Sequence, residues 1–154
     1  MAILSAQSLR DCLYQGAIEP FHERTVFEGM TYGLGPAGYD IRLKEEKWLE
    51  PGEFTLGSSI EHFSIPNNIV VFACNKSSLA RRGIDAAFST VLEPGWEGYL
   101  TIEIKNHSSD YIYLKAGSPI LQLIFHELDE PTDTPYNGKY QNQPDKPVYF
   151  IREE

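Results

Sequence analysis

From residue 39 to residue 126 the chain consists of short apolar segments separated by turn residues, and few folds are compatible with that pattern. Gly, Pro, Asn and Ser mark the turns at 51–52, 66–68, 94–95 and 116–118. Such segments are typical of strands, which we predict at 39–43, 53–56, 60–65, 69–74, 99–106, 111–114 and 119–126. Because the region contains only one predicted helical turn, at 77–82, the pattern favours an all-β sandwich or barrel over a βαβ fold.

The segments before and after this region have different compositions. Residues 5–15 predict a short N-terminal helix, because apolar side chains recur at helical spacing and Gly16 can end it. Residues 20–38 are rich in Gly and Pro and predict an irregular stretch. The tail, about residues 127–154, is rich in Pro, Asp, Asn, Gln and Tyr, and we predict that it is mobile and has little regular structure.

Length and charge restrict the organisation and the partners. A chain of 154 residues fits one domain, which we predict over residues 1–154. Its 13 basic and 22 acidic side chains give a formal net charge of −9, which argues against nucleic acid as a partner. No apolar run approaches the ~18 residues of a membrane span, so we expect no membrane association. Cys12 and Cys74 form no C-x-x-C pair, and we expect a reducing, cytoplasmic location.

Several catalytic signatures are absent from the sequence. It has no H-x-E and P-C-x-x-C pair of the zinc-dependent nucleobase deaminases, no H-E-x-x-H, no Walker A loop and no G-x-S-x-G elbow. Its four histidines are scattered singly: His22, His62, His107 and His126. The sequence therefore predicts no protein-held zinc, and a phosphorylated ligand would require a local basic cluster or a metal counter-ion.

The segment 75–83 combines hydroxyl and basic side chains directly after a predicted strand. Ser77 and Ser78 can donate hydrogen bonds to phosphate oxygens, and Lys76 supplies positive charge. One helical turn would place Ser77 and Arg81 on the same face, where both could contact one small ligand. The alternative is a capping turn at the surface with solvated basic residues.

Two further segments could contribute to a site. Pro94-Gly95 predicts a tight turn, after which Trp96 offers a broad face for a sugar or base; the alternative is a hairpin turn with a core tryptophan. In the strand 99–106, period two places Leu100, Ile102 and Ile104 on one face and Tyr99, Thr101, Glu103 and Lys105 on the other.

Glu103 has two possible roles. A glutamate on the polar face of a strand is usually solvated. If that face lines a closed pocket, Glu103 could instead take a proton from water and deliver one to a bound ring, as a deaminase without zinc requires. Periodicity alone leaves both roles open.

Taken together, these segments resemble the dCTP deaminase family within the trimeric dUTPase-like superfamily. The resemblance covers most of the chain, in the order 3–5, 36–43 (Pro-Ala-Gly-Tyr-Asp-Ile-Arg-Leu), 76–81 (Lys-Ser-Ser-Leu-Ala-Arg), 93–96 (Glu-Pro-Gly-Trp), 101–106, 135–137 and 139–143. It implies a distorted β-barrel or jelly-roll subunit, a homotrimer, and active sites shared between neighbouring subunits.

The resemblance also implies roles for individual residues. Glu103 matches the family's general acid/base, which activates the water that attacks C4 of cytosine. Ser77 and Arg81 match residues that organise this water and the base from the adjoining subunit. The positions that match nucleotide contacts are Lys76, Ser78, Thr90, Glu93, Trp96, Tyr136, Lys139 and Gln143. The first two fall where the family contacts phosphates, and the last three belong to a tail that closes over the triphosphate with its Mg²⁺.

The sequence departs from the family pattern around the predicted base pocket. The stretch 89–95 is one residue shorter than usual, and Glu93 replaces an aspartate that contacts the deoxyribose 3′-hydroxyl. Thr90 is the counterpart of the residue whose backbone carbonyl reads the exocyclic amine. Ala86 and Ala87 are small where bulkier residues are common, so we expect a roomier pocket that accepts a 5-substituted cytosine. The short chain would also suit a viral member acting in the host cytoplasm.

Two other functions fit the same scaffold. Glu93 could activate water against the α-phosphorus, which would give dUTP pyrophosphatase activity, alone or after deamination. The tail lacks the glycine-rich motif of dedicated dUTPases, which favours the deaminase. A non-catalytic trimeric nucleotide sensor is the other alternative, although a sensor would not need Glu103.

Overall fold

A computed structural model describes residues 2–88 and 90–153. Met1, Ser89 and Glu154 lie outside the described residues, and so does the start of the stretch 89–95. The helices are α1 (Ala6–Cys12) and α2 (Ser77–Ala80). The strands are β1 (Ala2–Ile3), β2 (Ile18–Glu19), β3 (Thr25–Phe27), β4 (Met30–Gly35), β5 (Gly38–Arg42), β6 (Lys47–Leu49), β7 (Phe54–Ser64), β8 (Ile69–Asn75), β9 (Ile84–Asp85), β10 (Val91–Leu92), β11 (Glu97–Asn106), β12 (Ile112–Leu114) and β13 (Pro119–Glu127).

The strands of the described part of the chain form three antiparallel sheets. The largest has the order β10-β8-β13-β5-β4-β3, with β1 also paired to β13. A second sheet has the order β2-β7-β11-β9, and β12 pairs with β6 in a short third sheet. Buried side chains of the sheets and of α1 belong to one hydrophobic core. The all-β prediction is confirmed.

Most predicted strands are confirmed, and one boundary between them is wrong. The predicted strands 53–56 and 60–65 are a single strand, β7. Gly57 does not break it, because the missing side chain makes room for Leu43: a Cβ at Gly57 would lie 2.7 Å from Leu43 Cδ1. The glycine marks close packing here instead of a turn.

The irregular stretch predicted at 20–38 is wrong, because it contains β3 and β4. Gly29, at φ +81°, lies in the turn between these strands, and Gly35–Gly38 link β4 to β5. Glycines here permit tight turns between paired strands. At the N-terminus the predicted helix is confirmed as α1, followed by a π-helical segment Leu13–Ala17 in which Gly16 has φ +91°.

The tail follows the predicted lack of regular structure. Within residues 128–153 there is no helix or strand, apart from an isolated bridge between Gly98 and Gln143. Its predicted mobility stays a prediction. Among the described residues, no helix has the length and apolar character needed to cross a membrane.

Candidate active site

A cleft of about 640 Å³ lies between β7, β11, the 90–96 segment and the tail. Its lining includes six of the predicted site residues: Thr90, Glu93, Trp96, Glu103, Tyr136 and Gln143. These six are separated by up to 53 positions in the chain, so the fold brings them together. The predicted residues outside the lining are Lys76, Ser77, Ser78, Arg81 and Lys139.

Glu103 projects from β11 into this cleft. The strand alternates as predicted: Leu100, Ile102 and Ile104 are buried in the core, whereas Thr101 and Glu103 are half-buried on the cleft side. No side chain among the described residues makes a hydrogen bond or ion pair with the Glu103 carboxylate. The carboxylate is therefore available to a ligand or to water in the cleft.

An apolar wall lies beside Glu103. Leu56 of β7 is its direct cross-strand partner, and Phe54 stands opposite Lys105 in the same register. Both line the cleft, as does Val91 of β10. Cross-strand partners in an antiparallel pair lie about 5 Å apart, so a flat ring resting on this wall would have the carboxylate at its edge.

Trp96 belongs mainly to the core. Only 5% of its surface is exposed, its indole N–H donates a 2.7 Å hydrogen bond to the Tyr140 carbonyl, and its ring packs near Phe63. The predicted tight turn is present, because the Trp96 N–H donates to the Glu93 carbonyl at 3.0 Å and Gly95 has φ +86°. Trp96 is therefore a core residue at the base of the cleft, whereas Glu93 is exposed at the edge of the cleft.

The tail forms the remaining wall. Gln143 is held against β11 through its backbone carbonyl, which accepts from the Tyr99 N–H at 3.1 Å, and the neighbouring Asn142 N–H donates to the Glu97 carbonyl at 2.8 Å. Tyr136 is tied to the 93–96 turn, because its N–H donates to the Pro94 carbonyl at 2.8 Å. Sequence reasoning placed this tail at the site only through the family resemblance, since nothing in its composition shows where it docks.

Ser77, Ser78 and Arg81 are exposed on and beside α2. The Arg81 N–H donates to the Ser77 carbonyl at 3.0 Å, which is the predicted i, i+4 relationship on one helical turn. None of the three lines the cleft of this chain. Lys139 is half-buried, with its ammonium 5.4 Å from the Tyr140 ring centroid and 3.4 Å from a Glu153 carboxylate oxygen.

Lys76 points into the fold. Its ammonium lies 2.5 Å from Asp40 Oδ2 and 3.0 Å from Thr31 Oγ1, and only 11% of its side chain is exposed. Burial raises the pKa of Asp40, and the hydrogen bond from Lys76 opposes that rise. Sequence reasoning missed Asp40 as a partner, although its place between apolar Tyr39 and Ile41 on β5 put it on the opposite face of the strand.

The described residues contain no preformed metal site. In residues 2–88 and 90–153, no three His, Cys, Asp or Glu side chains are grouped so that they could hold an ion. Two of the predicted single histidines lie near one carboxylate each: His62 is 4.0 Å from Glu97, and His107 is 3.9 Å from Asp85.

Comparisons with known proteins agree on one family. The family model for dCTP deaminase-like proteins matches residues 44–128, which include α2 and β11. A dCTP deaminase of Acidobacterium capsulatum is 34% identical over 93% of this chain and 96% of its own. One from Herpetosiphon aurantiacus is 36% identical over 83% and 87%, and one from Pyrococcus horikoshii is 34% identical over 80% and 83%.

Solved structures agree on the fold. The dCTP deaminase of Agrobacterium tumefaciens has a TM-score of 0.66 at 19% identity, covering 80% of this chain and 47% of that one. The EIAV dUTPase has a TM-score of 0.59 at 17% identity, covering 80% and 97%. The predicted dUTPase-like fold is thereby confirmed. From the family match and the relatives that align with most of its length, this chain belongs to the dCTP deaminase-like family.

Proposed function

We propose that this protein hydrolyses dCTP to dUTP and ammonia, with Glu103 as the general acid/base and no protein-bound zinc. The relatives described above are named dCTP deaminases at 34–36% identity. The observation that carries the proposal is the Glu103 carboxylate in the cleft, beside an apolar wall and without a protein partner among the described residues.

The proposed reaction is an addition followed by an elimination. Glu103 takes a proton from water as the water oxygen bonds to C4 of cytosine, and it delivers that proton to ring N3. It then transfers the remaining hydroxyl proton to the amine, so that the C4–N bond breaks, ammonia leaves and the C4 carbonyl forms. A positioned acid/base of this kind typically contributes about 10²–10⁴-fold in rate.

Charge supports a site shared between copies of the chain. The cleft lining contains the carboxylates of Glu93 and Glu103 but no Lys or Arg among the described residues. A triphosphate, with about four negative charges at neutral pH, needs cations there. The exposed Arg81, together with Ser77 and Ser78, would supply donors from a neighbouring subunit, which fits a homotrimer. Mg²⁺ would arrive with the phosphates, because residues 2–88 and 90–153 offer no carboxylate cluster for it.

The apolar wall also supports substrates with a group on C5. C5 is bonded to C4, so a substituent there lies within reach of the surface formed by Phe54, Leu56 and Val91. Ala86 is buried in the core, and neither Ala86 nor Ala87 lines the cleft, so the apolar wall alone supports this extension. We expect kcat/KM for 5-methyl-dCTP to lie within about tenfold of that for dCTP, since one methyl group against an apolar surface changes binding by about 1 kcal/mol. A strong preference for unmodified dCTP would contradict this extension.

The decisive experiment incubates the protein with dCTP and Mg²⁺ and identifies the products. Wild-type protein should give dUTP and ammonia. Glu103→Gln should keep nucleotide binding, measured by calorimetry, while turnover falls about 10²–10⁴-fold. Glu127→Gln is the matched control, because Glu127 is an exposed strand carboxylate outside the cleft. Unchanged turnover in Glu103→Gln would remove Glu103 from the mechanism.

A second activity is tested by the same products. Glu93 lies at the rim of the cleft that holds Glu103, so it could direct a water at the α-phosphorus. If wild-type protein forms dUMP and pyrophosphate from dCTP and Glu93→Gln does not, the protein is bifunctional. Nucleotide binding without any product would instead favour a non-catalytic nucleotide sensor.

A further inference from the structure

The tail contacts the catalytic face of β11 through one hydroxyl group. Thr101 Oγ1 accepts a 2.9 Å hydrogen bond from the Val148 N–H and donates a 2.7 Å hydrogen bond to Gln143 Oε1. Thr101 is two residues before Glu103 on the same face of the strand, and both line the cleft. A single side chain therefore connects the strand that carries the carboxylate to two separate points of the tail.

These two bonds join β11 to a tail without regular secondary structure. Residues 128–153 form no helix or strand. Backbone hydrogen bonds fix residues 142–143 on β11, and Lys44 contacts Asp145. Beyond those contacts, Val148, Tyr149 and Phe150 line the cleft, and the Val148 N–H is bonded to Thr101. Ile151 and Glu153 are tied to the tail itself, because the Ile151 N–H donates to the Tyr140 hydroxyl at 3.3 Å and a Glu153 carboxylate oxygen lies 3.4 Å from the Lys139 ammonium. Among the described residues, the threonine hydroxyl is therefore the hydrogen-bond link from residues 146–150 to β11.

The same hydroxyl orients the amide of Gln143. Because it accepts from Val148, its single proton is free to point to Gln143 Oε1, which places the amide nitrogen on the other side. The described residues offer no acceptor to that nitrogen, and Gln143 lines the cleft. An N–H₂ group held in this way can donate to an anionic oxygen of a bound nucleotide.

We propose that Thr101 is a positioning residue that holds the tail over the active site and presents the Gln143 amide to the nucleotide. It acts through Gln143 and Val148 and does not contact the reacting atoms. The inference rests on the proposed function, because the ligand of the cleft is taken to be a nucleoside triphosphate.

The test replaces the hydroxyl while keeping the shape of the side chain. Thr101→Val retains the β-branched side chain that strands favour but loses both hydrogen bonds, whereas Thr101→Ser retains the hydroxyl. We expect Thr101→Val to raise KM for dCTP about tenfold while kcat changes less than about threefold, because the tail that contacts the nucleotide loses one or two modest hydrogen bonds to β11. Thr101→Ser should restore KM to near the wild-type value.

A second readout is independent of activity. In the tail, trypsin can cut after Lys139 and after Arg152, whereas Lys146 is followed by Pro147 and is a poor site; mass spectrometry separates the two cuts. Cleavage after Lys139 should be several-fold faster in Thr101→Val than in wild type or Thr101→Ser. Gln143→Met removes the acceptor on the tail, together with the amide nitrogen, and should also accelerate cleavage, so the proposal stays testable if Thr101→Val folds poorly.

The outcomes separate this inference from the proposed function. If wild-type protein does not turn over dCTP, the proposed function fails, yet the cleavage rates still decide whether Thr101 holds the tail. Equal cleavage rates in wild type, Thr101→Val and Gln143→Met would overturn the inference. It would also be overturned if Thr101→Ser raised KM and the cleavage rate as much as Thr101→Val does, because packing of the methyl group would then be responsible.

Discussion

The Lys76–Asp40 ion pair places a cation inside a chain whose formal net charge is −9. Lys76 directly precedes α2, so this pair ties the helix that carries Ser77 to β5. A half-buried pair of this kind is costly to break from one side, because the remaining charge keeps its desolvation penalty. At the scale of single residues, we therefore regard Asp40 as a determinant of where α2 lies.

Asp40→Asn should lower the free energy of unfolding by about 1–3 kcal/mol, since the buried ammonium loses its counter-charge. Urea unfolding of Asp40→Asn, Lys76→Met and the double variant would measure this, and the double variant should lose less than the sum of the single variants. The control is Glu28→Gln, which removes an equally short but exposed pair with Lys115 and should change little. Additive losses from Asp40 and Lys76 would contradict the coupling.

Tyr39 should make the fold sensitive to alkaline pH. Burial raises the pKa of Tyr39 to about 12, against an ordinary value of 10.0. Between those values the unfolded chain loses the phenol proton while the folded chain keeps it, so stability falls as pH rises above 10. The loss from this residue should reach about 1 kcal/mol by pH 11.

Tyr39→Phe separates this effect from other alkaline changes. The variant should be less stable than wild type at pH 8, because the His22 N–H loses the phenol oxygen that it contacts at 2.9 Å. Between pH 8 and 11, however, it should lose less stability than wild type. Urea unfolding at both pH values measures the difference, and parallel losses in the two proteins would show that Tyr39 does not titrate as expected.

At the scale of elements, β11 organises the site. One face of the strand is core, and the other carries Thr101 and Glu103 toward the cleft. Along its length β11 pairs with β7 and, near its end, with β9, while the tail joins it near Gly98. The carboxylate is therefore fixed to a strand that is paired with its neighbours in the sheet.

Gly98→Ala should displace the tail from this strand. Gly98 has φ +144°, and a Cβ there would lie 2.6 Å from the Gln143 backbone nitrogen. Since backbone cannot move aside as a flexible side chain can, we expect faster tryptic cleavage after Lys139 and a higher KM for dCTP. Gly52→Ala is the control, because Gly52 also has positive φ, +79°, but has nothing within 4 Å. If both variants behave alike, local strain and not the tail contact is responsible.

At the scale of the whole molecule, the cleft of one chain is chemically incomplete for the proposed substrate. It presents carboxylates and an apolar wall, while Ser77 and Arg81 are exposed elsewhere on the surface. A symmetric oligomer can unite the two surfaces, with each subunit giving its carboxylate to one site and its arginine to another.

Mixing two inactive variants tests this arrangement. Glu103→Gln and Arg81→Ala should each be nearly inactive alone. Mixed by co-refolding in equal amounts, they should recover up to about one quarter of wild-type activity, because one in four random subunit pairings combines an intact Glu103 with an intact Arg81. Co-refolding Glu103→Gln with Glu103→Ala is the control and should recover none. Absence of recovery in mixed oligomers of verified composition would place both residues in one subunit's site.

The amino-acid sequence by itself determined the all-β class, the two faces of β11 and the helical turn at Ser77–Ala80, because alternation and turn residues are local properties of the chain. It did not determine that β3 and β4 form from a glycine-rich stretch, because their pairing depends on neighbours elsewhere in the sheet. The partner of Lys76, the core position of Trp96 and the docking of the tail on Thr101 were decided by tertiary structure. Each depends on contacts between residues about 36 to 47 positions apart, and such contacts have no signature in local sequence periodicity.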